Sequence, residues 1–371
     1  MKIRVLHIIK SLGRGGAEML LQETLKYHDQ DSFEFHYIYF LPWKHQMVEG
    51  IRKEGGIVNN VSASNNIRIM MKYRQVLDYV RNNKISLIHC HLPWAGFLGR
   101  LLHQLSGIPV VYTEHNKQER YHFITRTLNK WSFNRQTQVI AVSHDVAESI
   151  QKNIHPTIPV HTILNGVNVE LFRRNNEMGE QCRERYGISP EAILLGNIAV
   201  FRTQKRLKEW VTLFKKVRER VPGVKACLVG DGLLRHEIEE HIKQSGVAED
   251  IILPGLQTDV HPWLSAIDIF VMTSEFEGLP IALLEAMSMG CAAVCTDAGG
   301  IKEVIRHQID GISYPVADWQ KMEEEIVRIS VDPMLLEKWK KAARKRVEES
   351  FDIRNMVQAT ELLYSSLIHA K

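Results

Sequence analysis

Short runs rich in Val and Ile alternate along this chain with longer stretches whose apolar residues recur every three or four positions. The runs fall at 3–9 (IRVLHII), 33–40 (FEFHYIYF), 86–90 (SLIHC) and 109–113 (PVVYT), and the stretches at 17–28, 65–83 and 95–105 have helical spacing. A polar helix is expected between the second run and residue 65. Continuous apolar runs joined by amphipathic helices predict a parallel sheet covered on both faces, a doubly wound α/β lobe. The rhythm breaks over 165–192, where charges and turn residues prevail, and then restarts. Strands are predicted at 193–198, 224–229, 251–253, 268–272 and 292–296, with helices between them, so a second lobe of the same class follows. The last 50 residues carry only helical patterns, ending with one near 353–369. No short-period repeat occurs, which disfavours a solenoid.

The composition adds limits. With 371 residues, 44% hydrophobic and 24% charged, the chain is ordinary globular material, long enough for two domains that each bury a core. Five scattered cysteines with no C-x-x-C pair give neither a disulfide framework nor a zinc ribbon, and a reducing cytoplasm fits best. Only five uncharged residues, Val5 to Ile9, lie between Arg4 and Lys10, too short a core for a signal peptide. No apolar run approaches the roughly 20 residues that span a bilayer. Charge is uneven: residues 1–171 hold 20 Lys/Arg against 13 Asp/Glu (net +7), and 172–371 hold 27 against 30 (net −3). The first part also contains 12 of the 17 histidines. The first lobe is thus expected to meet something anionic, a phosphate or an acidic membrane surface, rather than nucleic acid coating the whole chain.

The stretch from Ser274 to Gly290 is the most informative. Pro280 suits the first turn of a helix and Gly290 its end, which predicts a helix over 280–289 with Glu277 in the loop before it. Amides of Gly278, Leu279 and Ile281 would then offer an anion site, to which the helix dipole adds roughly half a positive charge, suiting a diphosphate. Glu285, further along, would reach hydroxyls, and a carboxylate is a natural acceptor for the diol of a sugar or ribose. The same two glutamates also fit a capping side chain and a solvated helix position. Gly13, Gly15 and Gly16 follow the first strand and open a helix, allowing backbone to approach phosphate or sugar, or simply making a tight turn. This is not G-x-G-x-x-G, and no acidic residue ends the second strand, which disfavours a dinucleotide oxidoreductase. His89 and His91 close the strand at 86–90, at the edge where open α/β sheets bind ligands. Alternation puts both on one face, but no third ligand is adjacent in sequence, so no metal is assigned. Asp29-Gln30-Asp31 reads as a turn, and P-loop, nucleophile-elbow and zincin motifs are absent.

Joined to residues 291–305 (CAAVCTDAGGIKEVI), the 274–290 string closely resembles the signature of retaining GT-B glycosyltransferases, specifically glycosyltransferase family 4. The resemblance extends over essentially the whole chain. It implies an α/β GT-B fold of two Rossmann-like domains facing a central cleft, with an acceptor domain at 1–170, a donor domain at 171–355, and a terminal helix at 356–371 packing back on the first. It implies transfer of a sugar from a UDP-, GDP- or ADP-sugar to a hydroxyl with retained anomeric configuration, using no metal and no other cofactor. By position in the family motifs, Glu277 lies against the donor sugar and Glu285 binds the ribose, with Gly278 and Leu279 at the diphosphate. Gly15 and Gly16 match the glycine-rich loop, and Gly230 and Gly232 the turn beneath the donor. His91 matches the histidines lining the cleft. Tyr112 to Asn116 resembles the acceptor-side segment, where His115 takes the place of the catalytic-site histidine that contacts the donor sugar near the reaction centre and Asn116 adjoins it on the acceptor side. Ser143 and Asn165-Gly166-Val167 also match, and Leu253 to Leu256 resembles the segment that reads the base. Lys205 matches a lysine that, with an arginine about five residues earlier, neutralises the departing diphosphate. That arginine position falls on Val200, where the chain departs from the pattern, and Arg202 is the candidate substitute although alternation keeps 200 and 202 on one side.

By family habit the acceptor is a glycan or a polyprenyl-linked sugar of surface polysaccharide or glycolipid biosynthesis, such as capsule or lipopolysaccharide. Residues 117–135 mix Lys and Arg with Tyr, Phe and Trp in an expected helix. This reads either as a face resting on the inner surface of the plasma membrane or gripping a phosphorylated lipid, or as a solvated helix with its aromatics in the core. Two other functions fit the same architecture: a nucleotide-sugar 2-epimerase, and a non-catalytic nucleotide-sugar-binding protein, the latter motivated by Val200.

Overall fold

The computed structural model describes residues 2–13 and 15–369; Arg14, inside the glycine-rich turn, lies outside the described residues. Two sheets organise the chain. The first holds β1 (Ile3–Ile8), β2 (Phe33–Tyr39), β3 (Ile57–Asn60), β4 (Leu87–His91), β5 (Val110–Glu114), β6 (Gln138–Ala141) and β7 (Val160–Thr162), in the spatial order β3-β2-β1-β4-β5-β6-β7. The second holds β8 (Leu194–Ile198), β9 (Lys225–Val229), β10 (Ile251–Gly255), β11 (Ile269–Met272), β12 (Ala292–Thr296) and β13 (Ile312–Tyr314), in the order β10-β9-β8-β11-β12-β13. Every pairing is parallel. Each sheet reverses its winding beside its first strand, between β1 and β4 and between β8 and β11. At such a reversal the loops leaving neighbouring strands splay apart and open a crevice at their carboxyl ends.

Parallel strands covered on both faces are nearly continuous apolar runs, which is why the Val/Ile stretches mark them in the sequence. In the first unit, Leu6, Ile8, Ile88 and Val110 face one apolar layer, and Val5, Ile9, Leu87 and Val111 face another. In the second, Leu195, Ala226, Val271 and Val294 pack with Trp210 and Phe214 of the helix Leu207–Arg220. The first unit runs to Asn165 and resumes at Ile353, and the second spans Gly166–Asp352. The helix Ile353–His369 therefore belongs to the first unit, where Tyr364 is fully buried and its ring lies against His89.

Several local expectations are corrected. β3 and β7 are edge strands of the first sheet and β13 is an edge strand of the second, short and half-polar, so none shows a strand's apolar run. The stretch 65–83 is two helices, Asn66–Met71 and Tyr73–Asn82, because Lys72 (φ −79°, ψ 4°) turns its amide onto Ile69 O at 3.1 Å and interrupts the ladder. The polar segment after the first unit contains a helix, Asn176–Arg185, capped by Asn175. Residues 117–135 form a short 3-10 turn, Gln118–Arg120, and the helix Phe123–Ser132. The turn expected at Asp29-Gln30-Asp31 is present, with Asp29 accepting from Asp31 N at 2.9 Å, and all five cysteines are free and buried.

Candidate active site

In the second unit the loops leaving β8 and β11, the two strands at the reversal, are tied into one structure. Thr273 Oγ1 donates to the carbonyls of Lys205 (3.1 Å) and Arg206 (2.9 Å), and Glu275 N donates to Gln204 O (2.8 Å). Lys205 ends a 3-10 turn, Thr203–Lys205, which Arg206 closes in the left-handed region at φ +49°. This turn carries the Lys205 ammonium to Glu277, with Nζ to Oε1 at 2.6 Å, and Ser274 Oγ donates to the same oxygen at 2.6 Å. Both donors converge on Oε1, so among the described residues Oε2 of Glu277 has no partner. Glu277 is 8% exposed. A carboxylate that has lost most of its water while one oxygen stays unpartnered is suited to accept from a ligand hydroxyl.

The helix after this loop is Ile281–Ser288. Pro280 stands just before it rather than in its first turn, since its ψ of 115° is not helical, and its carbonyl accepts from Leu283 (3.2 Å) and Leu284 (3.3 Å). The amides of Ile281 and Ala282 thus have no acceptor within the helix, the arrangement that favours an anion. Leu279 is buried and Gly278 half-buried at this entrance. Glu285 lies one turn along and is 5% exposed in a helix otherwise built from Ile, Ala, Leu, Met and Ser. Two close approaches need glycine. A Cβ on Gly230 (φ +133°) would fall 1.9 Å from Ala199 O, and one on Gly300 would fall 1.9 Å from Gly278 O. Gly230 and Gly232 therefore let the turn after β9 run against the loop after β8, where Phe201 N donates to Asp231 O at 2.9 Å.

Val200 and Arg202 both lie exposed in the loop after β8, Val200 at 40%. The Arg202 guanidinium has no partner among the described residues, and its carbonyl accepts from Lys205 N at 3.0 Å. Gly15 and Gly16 are in the first unit, where Gly15 caps the helix Gly16–Leu25.

At the reversal of the first sheet stand His7 in β1 and His89 and His91 in β4. Register pairs His7 with His89. His7 Nδ1 lies 3.0 Å from His91 Nε2, and His91 Nδ1 lies 3.5 Å from His115 Nε2. Burial lowers the pKa of all four rings, to about 3 for His89 and about 4 for His115, so they are neutral at physiological pH. His115 and Asn116 are held from below by Glu114. This fully buried carboxylate accepts from the amides of His115 (3.1 Å) and Asn116 (3.3 Å), from Gln118 Nε2 (2.6 Å), from Tyr112 OH (3.0 Å) and from Tyr121 OH. Burial raises the Glu114 pKa against the pull of these donors. Ser143 caps the helix His144–Ile154 by accepting from Val146 N.

The structure thus brings Lys205 to Glu277, with Gly278 and Leu279 in the loop that leads from Glu277 into the helix carrying Glu285. It gathers His91, His115 and Asn116 in the first unit. Sequence reasoning assigned no role to Ser274, Thr273, Glu114 or His7. Ser274 had a signal, a hydroxyl three residues before Glu277; the place of His7 follows from strand register, which the sequence does not display.

Two family descriptions match this chain in succession: "Glycosyltransferase Family 4" over residues 14–171 and "Glycosyl transferases group 1" over 179–346. The chain is 28% identical over 308 residues to the putative glycosyltransferase EpsF of Bacillus subtilis, covering 80% of this chain and 79% of that protein. It is 23% identical over 323 residues to the Escherichia coli UDP-Gal:alpha-D-GlcNAc-diphosphoundecaprenol alpha-1,3-galactosyltransferase, covering 84% and 82%. Its fold is similar to that of Anabaena HepE, solved in complex with UDP and glucose, with a TM-score of 0.87 at 20% identity over 98% of this chain and 100% of that one.

Proposed function

Since the chain belongs to glycosyltransferase family 4, with the two parallel-sheet α/β domains of the GT-B fold, we propose that it transfers a sugar from a nucleoside diphosphate to an acceptor hydroxyl with retention of configuration. One observation carries this reading: the Lys205–Glu277 pair, set at the winding reversal of the second sheet beside a helix N-terminus whose first amides have no acceptor within the helix. Lys205 gives one N–H to Glu277 and keeps two for phosphate oxygens. Those, the amides of Ile281 and Ala282, and the helix dipole stabilise the negative charge that grows on the leaving diphosphate. No metal is then needed for its departure. Glu277 Oε2 accepts from a hydroxyl of the donor sugar, and Glu285 accepts from the ribose. Arg202 supplies the second cation in place of an arginine at Val200. Its lack of a partner among the described residues supports that role. The acceptor hydroxyl attacks the anomeric carbon from the face that the diphosphate leaves, and a donor phosphate oxygen takes its proton.

His115 is proposed to contact the donor sugar near the reaction centre, and His91 and Asn116 to serve the acceptor side, with the backbone of His115 and Asn116 positioned by Glu114. The acceptor is proposed to be a glycan or polyprenyl-linked sugar, which the galactosyltransferase relative supports by its name. No described helix is long and apolar enough to cross a membrane. On the helix Phe123–Ser132, however, Phe123, Ile124, Leu128 and Trp131 are exposed, and Lys130 and Arg126 are exposed beside them. This apolar face rimmed by cations supports peripheral contact with an anionic lipid surface.

A thermal-shift screen of UDP-, GDP- and ADP-sugars tests the donor assignment. One donor class should raise the melting temperature, and Glu285→Ala and Lys205→Ala should each remove most of that rise. Stabilisation unchanged by both substitutions would show the donor binds elsewhere. The exposed Val200 keeps a non-catalytic binding protein in view; donor stabilisation with neither hydrolysis nor transfer over a broad acceptor panel would favour it.

A further inference from the structure

We propose that His7, His89 and His91, all in the first unit, form a binding site for one divalent transition-metal ion of the zinc class. The spacing of His89 and His91 supplies two ligands on one strand face. The third comes from β1, whose parallel register sets His7 beside His89. One ring nitrogen from each of the three lies within 4.8 Å of the others, and all three side chains are buried. The His7 Nδ1 to His91 Nε2 separation is 3.0 Å. Nitrogens bound tetrahedrally to zinc at about 2.1 Å stand roughly 3.4 Å apart, so small ring rotations convert the observed cluster into a coordinating one.

The surroundings meet the other demands of such a site. A ligating imidazole is normally oriented through its second nitrogen. His91 Nδ1 faces His115 Nε2 at 3.5 Å, while His89 is held by Tyr364 OH on Nδ1 (2.5 Å) and by Thr113 Oγ1 on Nε2 (2.6 Å). One of those hydroxyls keeps the ring in place, and the other yields its nitrogen to the ion. A cavity of about 40 Å³ borders the cluster, lined also by His115, Thr113 and Tyr364. It has room for a water as fourth ligand, since one water needs about 10–15 Å³. Three imidazoles with no carboxylate or thiolate select zinc, copper or nickel over magnesium or calcium. Bound there, the ion joins β1 to β4, and through Tyr364 it reaches the C-terminal helix Ile353–His369. Binding would therefore stabilise the first unit.

The test uses the full chain without an affinity tag of histidines, stripped with chelator and titrated with Co²⁺, then with competing Zn²⁺. Expected are saturation at one equivalent, the visible absorption of a four-coordinate cobalt site, and a raised melting temperature. His7→Gln and His91→Gln should each weaken Co²⁺ binding at least about tenfold, whereas His45→Gln, at an exposed histidine outside the cluster, should leave it unchanged. No saturable binding by the wild-type chain overturns the site, as does binding that survives both cluster substitutions intact. Where a cluster variant fails to fold by circular dichroism, the wild-type titration and its cobalt spectrum decide.

Discussion

Lys205→Met removes the ammonium from a buried pair while keeping most of its volume. The two side chains are 16% and 9% exposed and meet at 2.6 Å. At an effective dielectric of about 20, two unit charges at that distance attract by about 6 kcal/mol. Much of this offsets the water both groups gave up, so the informative quantity is the cost of stranding Glu277 with Ser274 alone, about 3 kcal/mol. For a unit of this size that corresponds to a fall of about 6–12 °C in melting temperature. Adding Glu277→Gln removes the stranded charge and keeps the bond from Ser274, so the double variant should recover more than half of the loss, a coupling of about 2 kcal/mol. Transfer should not recover with it: kcat should stay down by about 10²–10³ in both, because neither can neutralise the leaving diphosphate. Differential scanning fluorimetry and steady-state kinetics on the three variants read both quantities. A drop below about 1 °C for Lys205→Met, with additive effects in the double variant, would refute the paired arrangement. Recovery of kcat along with stability would refute the role assigned to Lys205.

Arg202→Ala should leave stability within about 0.5 kcal/mol, since the side chain is exposed and has no partner among the described residues, yet lower kcat by about 10²–10³; adding Val200→Arg should restore part of it, and unchanged kinetics in Arg202→Ala would exclude that cation from the mechanism. The buried histidines make the first unit acid-sensitive. His89 has a folded pKa of about 3 against an ordinary 6.5, so acid protonates it in the unfolded chain first, and stability present above pH 6.5 is lost as pH falls toward 3. By pH 5 this single group costs about 2 kcal/mol, and a melting temperature flat between pH 7 and 5 would contradict it. The combination Phe123→Ser, Trp131→Ser should reduce cosedimentation with phosphatidylglycerol vesicles at least about tenfold while soluble-acceptor turnover is kept; equal vesicle binding would remove that face from the membrane reading.

The fold class was legible because buried parallel strands are rich in apolar residues, and β1, β4, β5, β11 and β12 keep that pattern although His7, His89, His91 and Glu114 interrupt or end three of them. The edge strands β3, β7 and β13 were not, since pairing on one side only leaves their sequences free to be polar. The helix at Ile281–Ser288 was legible from Pro280 and Gly290, although the proline proved to stand outside the first turn. That Lys205 and Glu277 meet could not be derived from spacing, for they are 72 residues apart and only strand order brings their loops together. The same holds for His7, which is 84 positions from His91 and became a partner through parallel register. Glu114 was visible as a residue but not as a buried hub, because its five donors come from Tyr112, Gln118, Tyr121 and two amides that converge only in three dimensions.

A crystal of the chain soaked with UDP addresses the central assignment most directly. The diphosphate should rest on the amides entering the helix Ile281–Ser288, within reach of Lys205, and the ribose hydroxyls should donate to Glu285. Density for the nucleotide at any other place, with these groups still bonded only to protein and water, would contradict the account.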